Sequence, residues 1–278
     1  MGLDSGKVTA RRLKFSVAYD GTAYHGWQVQ PGQETIQGVL QRVLGEIEGA
    51  AVLVAGSGRT DAGVHAEGQV AAVTLCNPIP AENLRQFMNR LLPRDIRVLA
   101  VEETAAGFDP RRHALAKTYE YRIARDPVCS PFERLYVHHH PYPLDEGAMA
   151  RLAPLLAGTH DFSAFAAVDV GDALGLSKVR TIFSSELWRA GGRLIYRVRG
   201  SGFLKHMVRN IVGTLLEAGK GNVGEAQLRA MLEPGYPGKA PLRAAASGLF
   251  LMSVEYPAAA QTPGPAAGDT QSTTTTDA

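Results

Sequence analysis

The first hundred residues switch between two hydrophobic periods in a fixed order, and that order narrows the folds open to the chain. Leu13, Phe15, Val17 and Tyr19 alternate with Lys14, Ser16 and Ala18, the period of a half-buried strand. The strand runs out at Asp20-Gly21, a turn signal. Thr35 then stands as an N-cap before Ile36, Val39, Leu40, Val43, Leu44 and Ile47, which share one helical face. Two short runs follow, Val52 to Ala55 and Val70 to Leu75, rich in small and β-branched residues, and both read as strands. Leu84, Phe87, Met88 and Leu91 mark a second amphipathic helix stopped by Pro93, and Ile96 to Val101 reads as a strand. Strand, helix, strand, strand, helix, strand is the split βαβ order of a ferredoxin-like fold.

The second half runs through a similar order. Alternation across Thr118 to Ile123 predicts a strand with Tyr119 and Tyr121 on one face. Leu152, Leu155 and Leu156 predict a helix between Asp145 and Gly158. Ile182 to Trp188 and Leu194 to Val198 form a hairpin turned at Gly191-Gly192. Leu204, Val208, Ile211 and Leu215 make a helical stripe with Arg209 at its edge, at about 100° per residue. A helix at Ala226 to Leu232 and a strand at Leu249 to Val254 complete the unit. The expected fold is α+β, in two ferredoxin-like halves with antiparallel sheets, residues 12–108 and 109–256. From Pro257 to Ala278 aromatics vanish and Ala, Pro, Gly, Gln and Thr dominate, so 257–278 is predicted to be disordered.

At 278 residues the chain can bury a core in each half, and 45% hydrophobic with 20% charged residues fits a soluble globular protein. The net charge of +2 does not announce a nucleic-acid binder, so any basic surface is a local patch. Cys76 and Cys129 stand far apart, as expected of free thiols in a reducing compartment. Met1 to Phe15 carries no apolar leader, and no run approaches about 18 apolar residues. A cytoplasmic protein, with no membrane partner, is the expectation.

Between the second and third strands lies Gly56-Ser57-Gly58-Arg59-Thr60-Asp61-Ala62-Gly63-Val64-His65-Ala66. Its glycines let the backbone turn sharply and let a ligand approach closely. A carboxylate beside an arginine suits a nucleophile or base near neutral pH, while the plainer reading is a turn whose Asp61 caps backbone amides. His65 alone reads as a structural histidine. A phosphate loop does not fit: Gly-Lys-Ser/Thr is absent, as is Gly-x-Gly-x-x-Gly opening a helix. His138-His139-His140 does not make a metal site either, because neighbours on a strand face opposite ways and no further ligands have metal spacing. No metal site is expected from these residues.

As a whole string the loop resembles the active-site motif of the tRNA pseudouridine synthase A family, Gly-x-Gly-Arg-Thr-Asp-x-Gly-Val-His-Ala, with every fixed position met. Other segments resemble the same family: Tyr19-Asp20-Gly21 through Gly26-Trp27-Gln28, Lys117-Thr118-Tyr119-x-Tyr121, His160 to Phe165, and Gly202 to Gly213. The likeness spans roughly residues 13 to 256.

The resemblance implies isomerisation of uridine to pseudouridine at positions 38, 39 and 40 of the tRNA anticodon stem-loop, by a homodimer that needs no cofactor. It implies that Asp61 is the essential catalytic residue, that Arg209 pairs with it across an RNA-binding cleft between the halves, and that Tyr119 packs against the target base. Arg59 matches the arginine that fills the space left by a flipped base, and Leu249 lies in the strand that closes the base pocket. Thr60 and His65 belong to the same loop motif; Arg111, Lys117 and Lys205 are the expected substrate-binding cations. Three departures stand out. The family often has Phe-His-Ala-Arg where this chain has Phe108-Asp109-Pro110-Arg111, His113 stands where relatives often carry Ser before Ala, and Val168 to Leu176, with Asp169 and Asp172, looks longer than usual with fewer basic residues. Two other classes are weighed against this one. A noncatalytic RNA-binding module is opposed by the intact Asp61, Tyr119 and Arg209, and a nucleotide-dependent transferase by the missing phosphate-loop lysine.

Overall fold

The opening alternation forms β1 (Arg11–Tyr19), with Leu13, Phe15 and Val17 buried. Residues 9–168 and 175–258 are described by this computed structural model; Asp169, Asp172 and the expected tail from 259 onward lie outside them. The helix α1 (Ile36–Glu48) starts where Thr35 Oγ1 accepts from the Gly38 amide and ends at Gly49, whose φ of 75° is left-handed. The predicted strand at Val52 to Ala55 shrinks to β2 (Ala55–Gly56). Side-chain amides from α1 take the backbone partners that a strand ladder would have supplied. Gln37 Nε2 donates to the Val54 carbonyl at 2.7 Å, and the Val54 amide donates to Gln41 Oε1 at 3.3 Å. Then come β3 (His65–Leu75), α2 (Ala81–Leu91) and β4 (Ile96–Glu103).

The second half contains β5 (Ala116–Ala124), the short β6 (His138–His139), α3 (Glu146–Leu152), β7 (Gly158–Asp161), β8 (Val179–Ala190) and β9 (Arg193–Gly200). It closes with α4 (Met207–Gly219), α5 (Glu225–Ala230) and β10 (Leu249–Glu255). Asp145 caps α3 by accepting from the Ala148 amide at 2.8 Å. Leu204, expected in the fourth helix, lies before it, because His206 takes a left-handed φ of 64° at the helix's N-cap. β6 falls on the His138-His139 run treated as strand, while β7 was not anticipated, since four largely polar residues carry no period to read.

Among the described residues the ten strands form one sheet in the order β4-β1-β3-β10-β5-β9-β8-β7, with β2 on β3 and β6 on β5. Pairing is antiparallel except for β10 with β3 and β6 with β5. The chain is thus α+β, but the sheets expected of the two halves run together. The last strand joins them: Phe250 and Leu251 pair with His65 and Ala66 on β3, while Leu249 and Phe250 pair with Tyr121 and Glu120 on β5. Without β10, both β3 and β5 would carry an open edge. Buried apolar side chains form a continuous core across this seam, including Trp27, Val64, Tyr121 and Leu251. Among the described residues no helix is long and apolar enough to cross a membrane.

Candidate active site

Residues 57 to 64, between β2 and β3, are held from three sides. From below, the Ser57 amide donates to the Val70 carbonyl at 2.8 Å, and Gln69 bridges Ser57 Oγ at 2.6 Å and the Gly58 carbonyl at 2.9 Å. From β1, the Tyr19 hydroxyl meets Thr60 Oγ1 at 2.8 Å. From the segment after β1, the Trp27 amide donates to the Thr60 carbonyl at 3.0 Å. Two glycines permit that last approach: a Cβ on Gly26, whose φ is +86°, would stand 2.5 Å from the Thr60 carbonyl oxygen, and one on Gly21 would stand 2.0 Å from that of Val64. The family-like string around Tyr19 and Trp27 therefore serves as the scaffold of the Asp61 loop. Trp27 is fully packed in the core.

Asp61 sits at the rim of this loop with a quarter of its side chain exposed. Arg209, in the first turn of α4 and mostly buried, donates from Nη1 to Asp61 Oδ2 at 3.1 Å and from Nε to the Ala244 carbonyl at 2.8 Å. One guanidinium thus ties the carboxylate of the first half to α4 and to the segment before β10. A buried charge pair of this kind survives when each member's remaining hydrogen-bonding groups also find partners. His206 adds a second neighbour, its Nε2 standing 3.6 Å from Asp61 Oδ1.

Tyr119, on β5, is 7% exposed, with its ring edge-on to Phe203 at 4.9 Å between centroids. Burial first, then the charges of Tyr19 and Asp61, push its hydroxyl above the usual tyrosine range. Lys117, two residues earlier, donates from Nζ to the Ser57 carbonyl beneath the loop. Burial, and secondarily Arg111, lowers the Lys117 ammonium from 10.5 to about 8.

The remaining expected residues are placed as follows. Arg59 is exposed and donates from Nε to Gln28 Oε1 at 3.2 Å. Thr60 is buried and anchors the loop as described. Arg111 and Lys205 are exposed, free to face a polyanion. Leu249 is buried at the start of β10, paired with Tyr121. His65 turns away from the carboxylate: 1% exposed, it stacks on Phe250 at 4.7 Å between centroids. Its Nδ1 stands 3.1 Å from both the Gly21 amide and Asp20 Oδ1, and its Nε2 stands 3.0 Å from the Leu135 carbonyl. Burial lowers its pKa and keeps the ring neutral. Tyr19, Gln69, His206 and Arg243 were not singled out from the sequence. His206 carried a usable signal, being three residues before Arg209 and so near it on a helix. Arg243 carried none.

The arrangement offers a carboxylate paired with a guanidinium at the rim of a braced loop, with the exposed Arg59 and Lys205 on the segments that carry the pair. The family model described as tRNA pseudouridine synthase matches residues 15–111 and 152–257. The tRNA pseudouridine synthase A of Solibacter usitatus is 62% identical over 246 residues, covering 88% of this chain and 100% of that protein. The proteins of that name from Halalkalibacterium halodurans and Brevibacillus brevis are 44% and 41% identical, covering 80% and 88% of this chain and 84% and 100% of theirs. The chain belongs to the tRNA pseudouridine synthase family, enzymes that isomerise uridine in tRNA to pseudouridine.

Proposed function

We propose that the protein isomerises the uridines at positions 38, 39 and 40 of the tRNA anticodon stem-loop, with Asp61 as the catalytic carboxylate. The observation that carries this is the Asp61–Arg209 pair, which joins residues 148 apart in the chain at the rim of the loop. The reaction is internally balanced. The N1–C1′ bond breaks, the uracil turns, C5 bonds to C1′, and one proton leaves C5 while another joins N1. No external oxidant, reductant or cofactor enters.

Residues 12–108 and 109–256 act in this reading as two ferredoxin-like halves, with the RNA in the cleft between them. The pairings β4-β1-β3-β2 and β10-β5-β9-β8 support it. A base within a stem must leave its stack before it reaches Asp61. Arg59 then occupies the vacated space, Tyr119 packs on the flipped base and Leu249 closes the pocket behind it. Thr60 fixes the loop from below, and His65 supports the seam under it. Arg111 and Lys205 supply positive charge toward the phosphates, while Lys117 acts from beneath the loop through the Ser57 carbonyl. Two copies of the chain form the working homodimer, in the cytoplasm, which gives a wider basic surface than a chain of net charge +2.

The test is to incubate the protein with unmodified tRNA transcripts and map pseudouridine by position. Modification confined to 38, 39 and 40 is expected. Pseudouridine formed only outside the anticodon stem-loop would overturn the positional assignment while leaving the family chemistry intact.

A further inference from the structure

We propose that His206 is a positioning residue for Asp61: Arg243 fixes its tautomer so that it presents an N–H, without a charge, to Oδ1 while Arg209 holds Oδ2. The inference rests on the reading of Asp61 as the catalytic carboxylate. Arg243 Nη1 lies 2.8 Å from His206 Nδ1. A guanidinium is only a donor, so Nδ1 must accept and the ring proton sits on Nε2. Nε2 stands 3.6 Å from Asp61 Oδ1, the carboxylate oxygen that Arg209 does not hold, a distance beyond a hydrogen bond. An imidazole locked this way cannot take a proton from substrate at Nε2. It can only hold the carboxylate.

The backbone supports a site-specific role. Among the described residues His206 alone, apart from glycines, has a positive φ, at 64°. Positive φ is uncommon outside glycine, although histidine tolerates it better than most, and such positions cluster at functional sites. Burial is the main influence lowering the His206 pKa, with Arg243, Arg209 and Lys205 adding to it and Asp61 opposing. The ring is thus neutral between the carboxylate on one side and cations on the others. Oδ1 gains an oriented dipole without a second full charge competing with Arg209 for the carboxylate.

The experiment compares single-turnover pseudouridine formation and tRNA affinity in the full-length protein, four single variants and one double variant. His206→Gly removes the imidazole at no backbone cost, since glycine accepts the left-handed conformation. His206→Asn keeps an amide donor, and asparagine tolerates the same backbone. Arg243→Met frees the tautomer with the His206 backbone untouched, and Asp61→Asn serves as reference. The expected result is a rate loss of about tenfold or more in His206→Gly with tRNA affinity within about twofold, and His206→Asn within about threefold of wild type. Combining Arg243→Met with His206→Gly is expected to cost no more rate than His206→Gly alone, because both act through one contact. Wild-type rates in His206→Gly overturn the inference, as do equal rate losses in the Gly and Asn variants or a loss seen only in affinity. If Asp61→Asn itself stays active, the carboxylate role fails and the inference falls with it. If Asp61→Asn is inactive while His206→Gly is not, only the inference fails.

Discussion

Arg209 Nη1 stands 3.1 Å from Asp61 Oδ2 while its Nε donates to the Ala244 carbonyl at 2.8 Å. The two contacts use the planar fork of one guanidinium. A lysine ammonium is a point donor on a flexible stem and cannot span both.

Arg209→Lys is therefore expected to lose most of the activity, and Arg209→Ala about a hundredfold or more, by releasing the carboxylate from its geometry. Single-turnover rates check this. A rate near wild type for Arg209→Lys would mean that charge alone matters and that the fork is incidental.

How much of this was legible beforehand follows from the kind of signal each element carries. β1, α1 and α2 were readable because their burial repeats within the element itself. The merging of the halves was not, since whether β10 finds one neighbour or two is set by what packs beside it. β2 was overestimated because Gln37 and Gln41, a helix away, take the Val54 backbone groups. Asp61 and Arg209 were legible as motif residues. The brace from His206 and Arg243 depends on a left-handed backbone and on a residue 37 positions away, and neither leaves a periodic trace.

Lys117 sets a pH dependence of stability. Its folded pKa, about 8, is below the 10.5 of the unfolded chain, so between those values the unfolded state holds more protons. Stability contributed at this site therefore rises with pH from about 8 toward 10.5, by at most about 1.4 kcal/mol per unit. Melting temperatures of wild type and Lys117→Met across that window should diverge in favour of wild type. Parallel curves would show that the ammonium is solvated rather than buried under the loop.

Arg111 is exposed, and the proposed function gives it a phosphate contact. Arg111→Gln is expected to weaken tRNA binding evenly across tRNA sequences and to reduce the slope of log affinity against log salt by about 1. Binding titrations at several salt concentrations decide it. An unchanged slope would remove Arg111 from the phosphate contacts.

The most direct measurement is pseudouridine formation by Asp61→Asn on unmodified tRNA, with affinity measured in parallel. The substitution exchanges the anion for a neutral amide of the same shape and leaves Arg59, Arg111, Lys117 and Lys205 in place. The expected result is turnover below about one per cent of wild type with tRNA affinity within severalfold, the pattern of a lost catalytic group. Turnover above that level, with binding intact, would contradict the assignment of Asp61 as the residue on which the chemistry depends.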